Sequence, residues 1–313
     1  MFLGGYQPEG GIAAAPENRE YLMSEQGLRR ACENGVILEA TAVSCDSSFR
    51  LTVDLYCMNG YIEREDVQFS PTGEPVRDIA VITRVGKTVC FKVIGFFTEN
   101  GRTAARLSRR EAQRECAENC LQSLEPGDVI GAKVTHLENF GAFVDIGCGI
   151  VSLLSIDCIS VSRISHPSDR FRAGDRIRAV VKSIDRENGR IFVSHKELLG
   201  TWKQNAELFS PGQTVTGIVR SIEDYGIFVE LTPNLAGLAE YRDGITVGQT
   251  AAVYIKNIIP ERMKLKLVLI DSTRAETVPQ RSVSGYPDSV THIDRWRYSP
   301  ECCPRVIETV FSD

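Results

Sequence analysis

The sequence predicts a mainly β protein: three small barrels or sandwiches in tandem, joined by short helices. Three observations predict it. First, the chain repeats itself. "PGDVIGAKVTHLENFGAFVDIG" (126–147) aligns without a gap on "PGQTVTGIVRSIEDYGIFVELT" (211–232), with Pro, Gly, Val, Glu, Gly, Phe and Val in register. Second, polarity alternates with a period of two inside the repeats: Ile130, Ala132 and Val134 share one face, Lys133 and Thr135 the other. Third, the period becomes helical between them. "EAQRECAENCLQSLEPG" puts Cys116, Cys120, Leu121 and Leu124 on one stripe before a Pro-Gly stop, and "ELLGTWKQNAELFSPG" puts Leu198, Trp202, Ala206 and Phe209 on another.

Taken in order, residues 1–27 read as an irregular N-terminal arm. Residues 28–110 form a weaker first copy, whose "ENGRTAARLS" parallels the "ENGRIFVSHK" of the next. A linker helix at 111–125 leads to the second unit, 126–196, which closes with "AGDRIRAVVKSIDRENGRIFVSHK". A second linker helix at 197–210 leads to the third unit, 211–271, and a Ser-, Pro- and Arg-rich tail follows at 272–313. Units of roughly 60–80 residues can each bury a modest core.

Composition narrows the function. The net charge is −5, yet the excess acid lies in the arm and the first linker, so each folded unit is close to neutral and none carries a strong basic footprint. No stretch is long and apolar enough to span a bilayer. The start has neither a basic nor an apolar signal region, so a cytoplasmic protein is expected. The ten cysteines are scattered, with no C-x-x-C, and read as reduced thiols. His136, His166, His195 and His292 are the only histidines and do not cluster with cysteines, so no metal is expected. Neither G-x-G-x-x-G nor G-x-x-x-x-G-K-[ST] occurs, and no Ser, Cys or Thr has a His at a spacing that suggests a nucleophile pair. The chain reads as a binding protein without cofactor, not an enzyme.

The candidate site comes from strand parity. In Gly141–Ile146, Ala142, Val144 and Ile146 alternate inward, leaving Gly141, Phe143 and Asp145 outward. In the third unit Ile227, Val229 and Leu231 point in, and Gly226, Phe228 and Glu230 out. Phe140 and Tyr225 stand three residues earlier, at the mouth of each strand. Two readings of these rings stand open. They form a stacking platform for unpaired bases, where each stacked base gains about 1–3 kcal/mol, or Phe143 and Phe228 cap a barrel end or pack under the linking helix. The tail is similarly two-sided: in "HIDRWRYSP" cations alternate with rings as in RNA-binding segments, or Trp296 docks onto the third unit.

The pattern G-(D/Q)-x(4–5)-V, (F/Y)-G-x-F-V, D-x-x-x-G-R resembles the S-one RNA-binding domain, the repeat of bacterial small-subunit ribosomal protein S-one. "NFGAFVDIG" with "SIDRENGRIFVSHKEL" carries it most fully, "DYGIFVELTPNLAGLAE" clearly, and the first unit faintly. The three-unit layout between "PENREY" and "HIDRWRYSP" resembles the short S-one-like proteins of clostridial bacteria. The resemblance implies five-stranded OB-fold barrels that bind single-stranded RNA (mRNA) in translation, with the small ribosomal subunit as partner and neither DNA nor membrane. It also implies site residues: Phe140, Phe143, Asp185 and Arg190 in the second unit; Tyr225, Phe228 and Lys264 in the third. The family's His position falls on Ser155 and Glu240, and its Asp position on Ile259 in the third unit. The first unit lacks F-G-x-F and retains only Arg102 of its Asn-Gly-Arg turn. The second unit is thus expected to bind RNA best, the third weakly, and the first a protein. Candidate phosphate contacts, or simply solvated charges, are Lys133, Arg170, Arg172, Lys182 and Arg190, then Arg220, Lys256 and Lys264.

Overall fold

The computed structural model describes residues 6–99, 101–119, 121–273 and 289–311. The first barrel comprises β1 (Ile37–Cys45), β2 (Leu51–Asp54), β3 (Asn59–Ile62), β4 (Thr88–Glu99) and β5 (Arg102–Ser108). The second comprises β6 (Val129–Glu138), β7 (Gly141–Asp145), β8 (Val151–Ser155), β9 (Arg176–Asp185) and β10 (Arg190–Ser194). The third comprises β11 (Thr214–Glu223), β12 (Gly226–Thr232), β13 (Leu235–Ala239), β14 (Thr250–Ile259) and β15 (Lys264–Thr273). All three close in the same order. The first strand pairs with the second and fourth, and the third pairs in parallel with the fifth, as in an OB-fold.

Closure of so small a sheet needs sharp coiling, and each first strand supplies it with a register shift at the same place: Ala42/Ser44, Val134/His136 and Val219/Ser221. The alternating residues fill the interiors. Val134, Ala142, Val144, Leu154, Ala179 and Val193 pack in the second barrel, and Val219, Ile227, Val229, Val253 and Leu267 in the third. Gly141 has a specific steric task, because a Cβ there would stand 2.4 Å from the Leu154 carbonyl oxygen. Gly226 meets Ala239 in the same way.

The N-terminal arm corrects the irregular reading. It carries α1 (Pro16–Leu22), and α2 (Glu25–Asn34) begins within it. The Ser24 hydroxyl accepts the Gly27 N–H to start α2, and Gly35, at φ 63°, ends it. Leu22, Leu28 and Ala31 bury their side chains against the first barrel. α3 (Asp78–Ile82) fills the long third-to-fourth connection of that barrel.

The first linker is α4 (Arg109–Asn119), with Cys116 in a small cluster with Cys90, Ala112 and Cys148, and Leu124 in the second core. Of the stripe read there, Cys120 and the Leu121 side chain lie outside what is described. The second linker is a 3-10 turn followed by α5 (Trp202–Ala206), where Thr201 and Gln204 form a capping box. Leu198, Trp202, Ala206 and Phe209 all enter the third barrel's cluster. The tail forms β16 (Arg295–Arg297) and β17 (Glu308–Val310), a short antiparallel pair. Trp296 is 1% exposed and joins Ile293, Tyr298 and Phe311 in the third barrel's cluster. Docking is therefore the arrangement the tail adopts, and its rings are not free to stack on RNA. Residues 274–288 of the tail lie outside the described residues.

Every described cysteine is a free thiol. No described helix is long and apolar enough to cross a membrane.

Candidate nucleic-acid interface

Strand parity holds on the outer wall of the second barrel. Ala142 and Val144 are fully buried, while Phe143 between them is only half-buried. Phe140, at the β6–β7 turn, is 54% exposed. The two rings meet edge to face with centroids 5.9 Å apart. The Phe140 carbonyl accepts the Ile156 N–H at 2.9 Å, which ties the turn to the end of β8. The third barrel repeats this. Tyr225 is 69% exposed and meets half-buried Phe228 edge to face at 6.2 Å. In both barrels the turn ring is exposed and the strand ring half-buried.

The register extends the second barrel's platform beyond the expected residues. Phe143 pairs with His136 on β6 and Leu153 on β7's other neighbour, β8, and Leu153 pairs in parallel with Phe192 of β10. The His136 imidazole lies nearly parallel to the Phe143 ring, at 15° and 6.5 Å, and its Nε2 is 2.7 Å from Glu138 Oε1. The result is an apolar and aromatic row, His136–Phe143–Leu153–Phe192, with Phe140 at one end. Arg190 sits two residues from Phe192 and is exposed. It pairs with Asp185 across the β9–β10 hairpin. Asp185 accepts the Asn188 N–H and Nδ2, at 3.1 and 2.8 Å. Those bonds, with Arg190 adding charge, hold its carboxyl below the usual range. Ser155, at the family's His position, pairs with Gly141 beside this row.

Sequence reading missed His136 and Phe192. Phe192 was within reach, because Ile191 and Val193 alternate inward as Ala142 and Val144 do. His136 was concealed by the repeat: its counterpart is Ser221, which pairs with Phe228. In the third barrel the equivalent row is Ser221–Phe228–Leu238–Lys266, so a lysine replaces Phe192. Lys264 and Lys256 are exposed near it; Lys264 pairs with Ile259, and Lys256 stands in the β14 irregularity next to Asn257, the partner of Lys266.

Three expected phosphate contacts are placed elsewhere. Arg170 is buried against Glu230 of the third barrel. Arg220 is buried with the same carboxylate, its Nε 2.9 Å from Glu230 Oε2. Desolvation lowers the Arg170 pKa, with Glu230 opposing it. Lys133 turns toward the arm and donates to the Glu9 carbonyl at 2.8 Å. The arm covers Lys133, and the loop that carries Asp169 and Arg170 meets Glu230 and Arg220 of the third barrel, which strand parity within one unit does not reveal. Arg172 is exposed, and Lys182 donates to Cys158 Sγ at 3.1 Å. The outward acids were also misread. Asp145 and Glu230 are 2% and 1% exposed, both sealed in junctions between barrels.

The first barrel has rings of its own; four of them are engaged, while Tyr56 is 64% exposed. Arg50 lies 4.3 Å over Tyr61, which contacts Phe97; Arg64 lies over Phe49 and Arg29 over Phe96. Acids hold those arginines: Glu99 on Arg50, Asp78 on Arg64 and Glu25 on Arg29. Among the described residues no guanidinium covers the rings of the other two barrels in this way.

Comparison with known proteins agrees with this geometry. Residues 123–196 match the S1 RNA binding domain. The chain is 38% identical over 215 residues to the small ribosomal subunit protein bS1 homolog of Bacillus subtilis, covering 64% of this chain and 56% of that one. It is 31% identical over 199 residues to a 4-hydroxy-3-methylbut-2-enyl diphosphate reductase of Clostridium acetobutylicum, covering 58% of this chain and 31% of that one. The chain thus spans about half of the first relative's length and about a third of the second's. A Streptococcus pneumoniae multidomain protein with nucleic acid binding domains aligns over 75% of this chain and 73% of its own, at 16% identity and a TM-score of 0.24. Residues 123–196 therefore match an S1 RNA-binding domain, set in a tandem array of barrels, and the chain resembles bacterial ribosomal protein bS1.

Proposed function

We propose that this chain binds single-stranded RNA, an mRNA, during translation in the cytoplasm, on the small ribosomal subunit, and that it acts by binding and not by catalysis. The observation that carries this reading is the bare aromatic row on the outer wall of the second barrel, repeated in reduced form on the third. Flat carbon surface beside Arg190 suits unpaired bases joined by phosphates, and stacking accepts any base. The similarity to bS1 supports the setting.

The test is filter binding of single-stranded RNA to wild type and to Phe140→Ala with Tyr225→Ala. Both rings are largely exposed, so their loss leaves the barrels folded. Removing one stacked base's contact is worth about 1–3 kcal/mol, a fall in affinity of about 5- to 150-fold. Equal binding by both proteins would remove the platform.

The covered rings of the first barrel favour a different role for that unit. Where Phe49, Tyr61 and Phe96 wear guanidiniums, and those guanidiniums wear carboxylates, little stacking area or free charge is left for RNA. This barrel docks on protein. Sedimentation with nuclease-treated small subunits tests it: residues 1–119 are needed for retention after RNA digestion, and a variant with Phe140 and Tyr225 replaced is retained as wild type is.

A further inference from the structure

The buried acids at the barrel junctions occupy one position of the repeat. Asp145 and Glu230 are 85 residues apart, and each follows its platform phenylalanine by two residues. Asp145 is sealed by the N-terminal arm, and Glu230 against the second barrel. Asp145 accepts the Glu9 N–H at 2.7 Å. The Glu9 carboxylate is in turn held by Arg109 Nε at 2.6 Å and by the Cys90 N–H of the first barrel at 3.1 Å. Glu230 takes Arg170 from the loop that follows β8 of the second barrel, and Arg220 from its own barrel. Around the second junction, Val161 N–H donates to Asn234 Oδ1 at 2.9 Å, and Asn234 Nδ2 donates to the carbonyls of Lys196 and Gly200. A strand advances about 3.3 Å per residue, so Arg170 reaches the third barrel within about 7 Å of Phe228 along β12.

We infer that Arg170 is a positioning residue: through Glu230 it fixes the third barrel on the second, so that both platforms grip one RNA strand as a single site. This rests on the RNA-binding reading above. Two weak sites held in fixed relation gain from effective concentration what neither gains alone. Arg170 does so without touching RNA, because its side chain is only 6% exposed.

The experiment compares two oligouridines, one of about 6 nucleotides that fills a single barrel and one of about 24 that spans two, by fluorescence anisotropy. Arg170→Met removes the Arg170–Glu230 ion pair between barrels and leaves Arg220 on Glu230 and on Asp169 of the second barrel, at 3.3 Å. It is expected to weaken the long oligomer tenfold or more and leave the short one unchanged. The companion variant replaces Arg170, Arg220 and Glu230 together with Met. Apolar side chains of similar volume substitute well for a buried ionic cluster, so this variant stays docked, and its long-oligomer affinity returns to within threefold of wild type. If the triple variant binds the long oligomer as weakly as Arg170→Met, the arginines contact phosphate directly and the positioning role is wrong. Equal losses on both oligomers, or no loss on either, overturn it as well. If wild type binds neither oligomer, the RNA-binding reading fails first and the inference falls with it.

Discussion

Trp296 offers the sharpest measure of how the tail is held. Its side chain is fully buried in the third barrel's cluster, in contact with Tyr298 at a centroid distance of 5.6 Å. β16 and β17 are three residues each and cannot hold together alone. Docking therefore depends on Trp296, Ile293, Tyr298 and Phe311. Truncating a buried aromatic to Ala costs about 3–5 kcal/mol, transfer and cavity together. Trp296→Phe is a different perturbation. The indole Nε1 is buried without a hydrogen-bond partner, and a buried orphan donor costs about 1–3 kcal/mol. Phe removes that donor while giving up part of the ring's area, so the two changes oppose and the variant stays within about 1 kcal/mol of wild type. The assay is urea unfolding followed by the fluorescence of Trp202, the other tryptophan, which is buried in the same cluster. With a slope of about 2 kcal/mol per M, Trp296→Ala lowers the midpoint by roughly 2 M. A shift below about 0.5 M refutes docking as a contributor to the third barrel's stability. A Phe variant as damaged as the Ala variant refutes the orphan-donor argument.

The remaining predictions concern the platform, the first junction and the glycine. Phe192→Leu keeps the wall covered but removes a ring, and it lowers RNA affinity by about 1–3 kcal/mol in filter binding; an unchanged Kd excludes Phe192 from the platform. Glu39, 2% exposed, has its pKa pushed up to about 7, chiefly by burial and also by Glu9, against N–H bonds from Ile12, Ala13 and Gly10. The folded state thus holds this proton where the unfolded chain has lost it, so stability is greatest below the ordinary carboxyl pKa and falls as pH rises toward about 7. Glu39→Gln is therefore more stable than wild type above that pH, by up to about 3 kcal/mol, with the gap closing in acid; parallel stability–pH curves for the two proteins contradict this. Gly141→Ala drives a Cβ into the Leu154 carbonyl and costs about 1–3 kcal/mol, while Gly95→Ala, where a Cβ meets nothing within 4 Å, is the thermal-melt control.

What sequence could reveal here follows the range of each interaction. Barrel strands were legible because alternation is local, so Phe143 and Phe228 could be placed outward from their immediate neighbours. Phe140 and Tyr225 followed from the turn beside them. The five-strand closure came from resemblance, since pairing β8 with β10 in parallel is invisible to any short window. Lys133, Arg170 and Arg220 were misplaced for one shared reason. A charge on a strand's outer face or in a loop reads as solvated unless another segment covers it, and the partners are Glu9, 124 residues away from Lys133, and Glu230, 60 residues away from Arg170.

The same fact explains the division of labour on the wall. At the level of Phe143 the outer face is open, and two residues on, at Asp145, it is closed by the arm. The third barrel makes the same change between Phe228 and Glu230. One strand face thus serves two purposes along its length, ring first and junction second. Burying a carboxylate is costly unless it is bonded; Asp145 takes N–H groups from Glu9 of the arm and from Gly147 and Gly149 of its own barrel, and Glu230 takes Arg170 of the second barrel and Arg220 of its own. The acid that flanks each ring is what joins that ring's barrel to its neighbour, so the repeat that makes a stacking surface also specifies how successive surfaces are set beside one another.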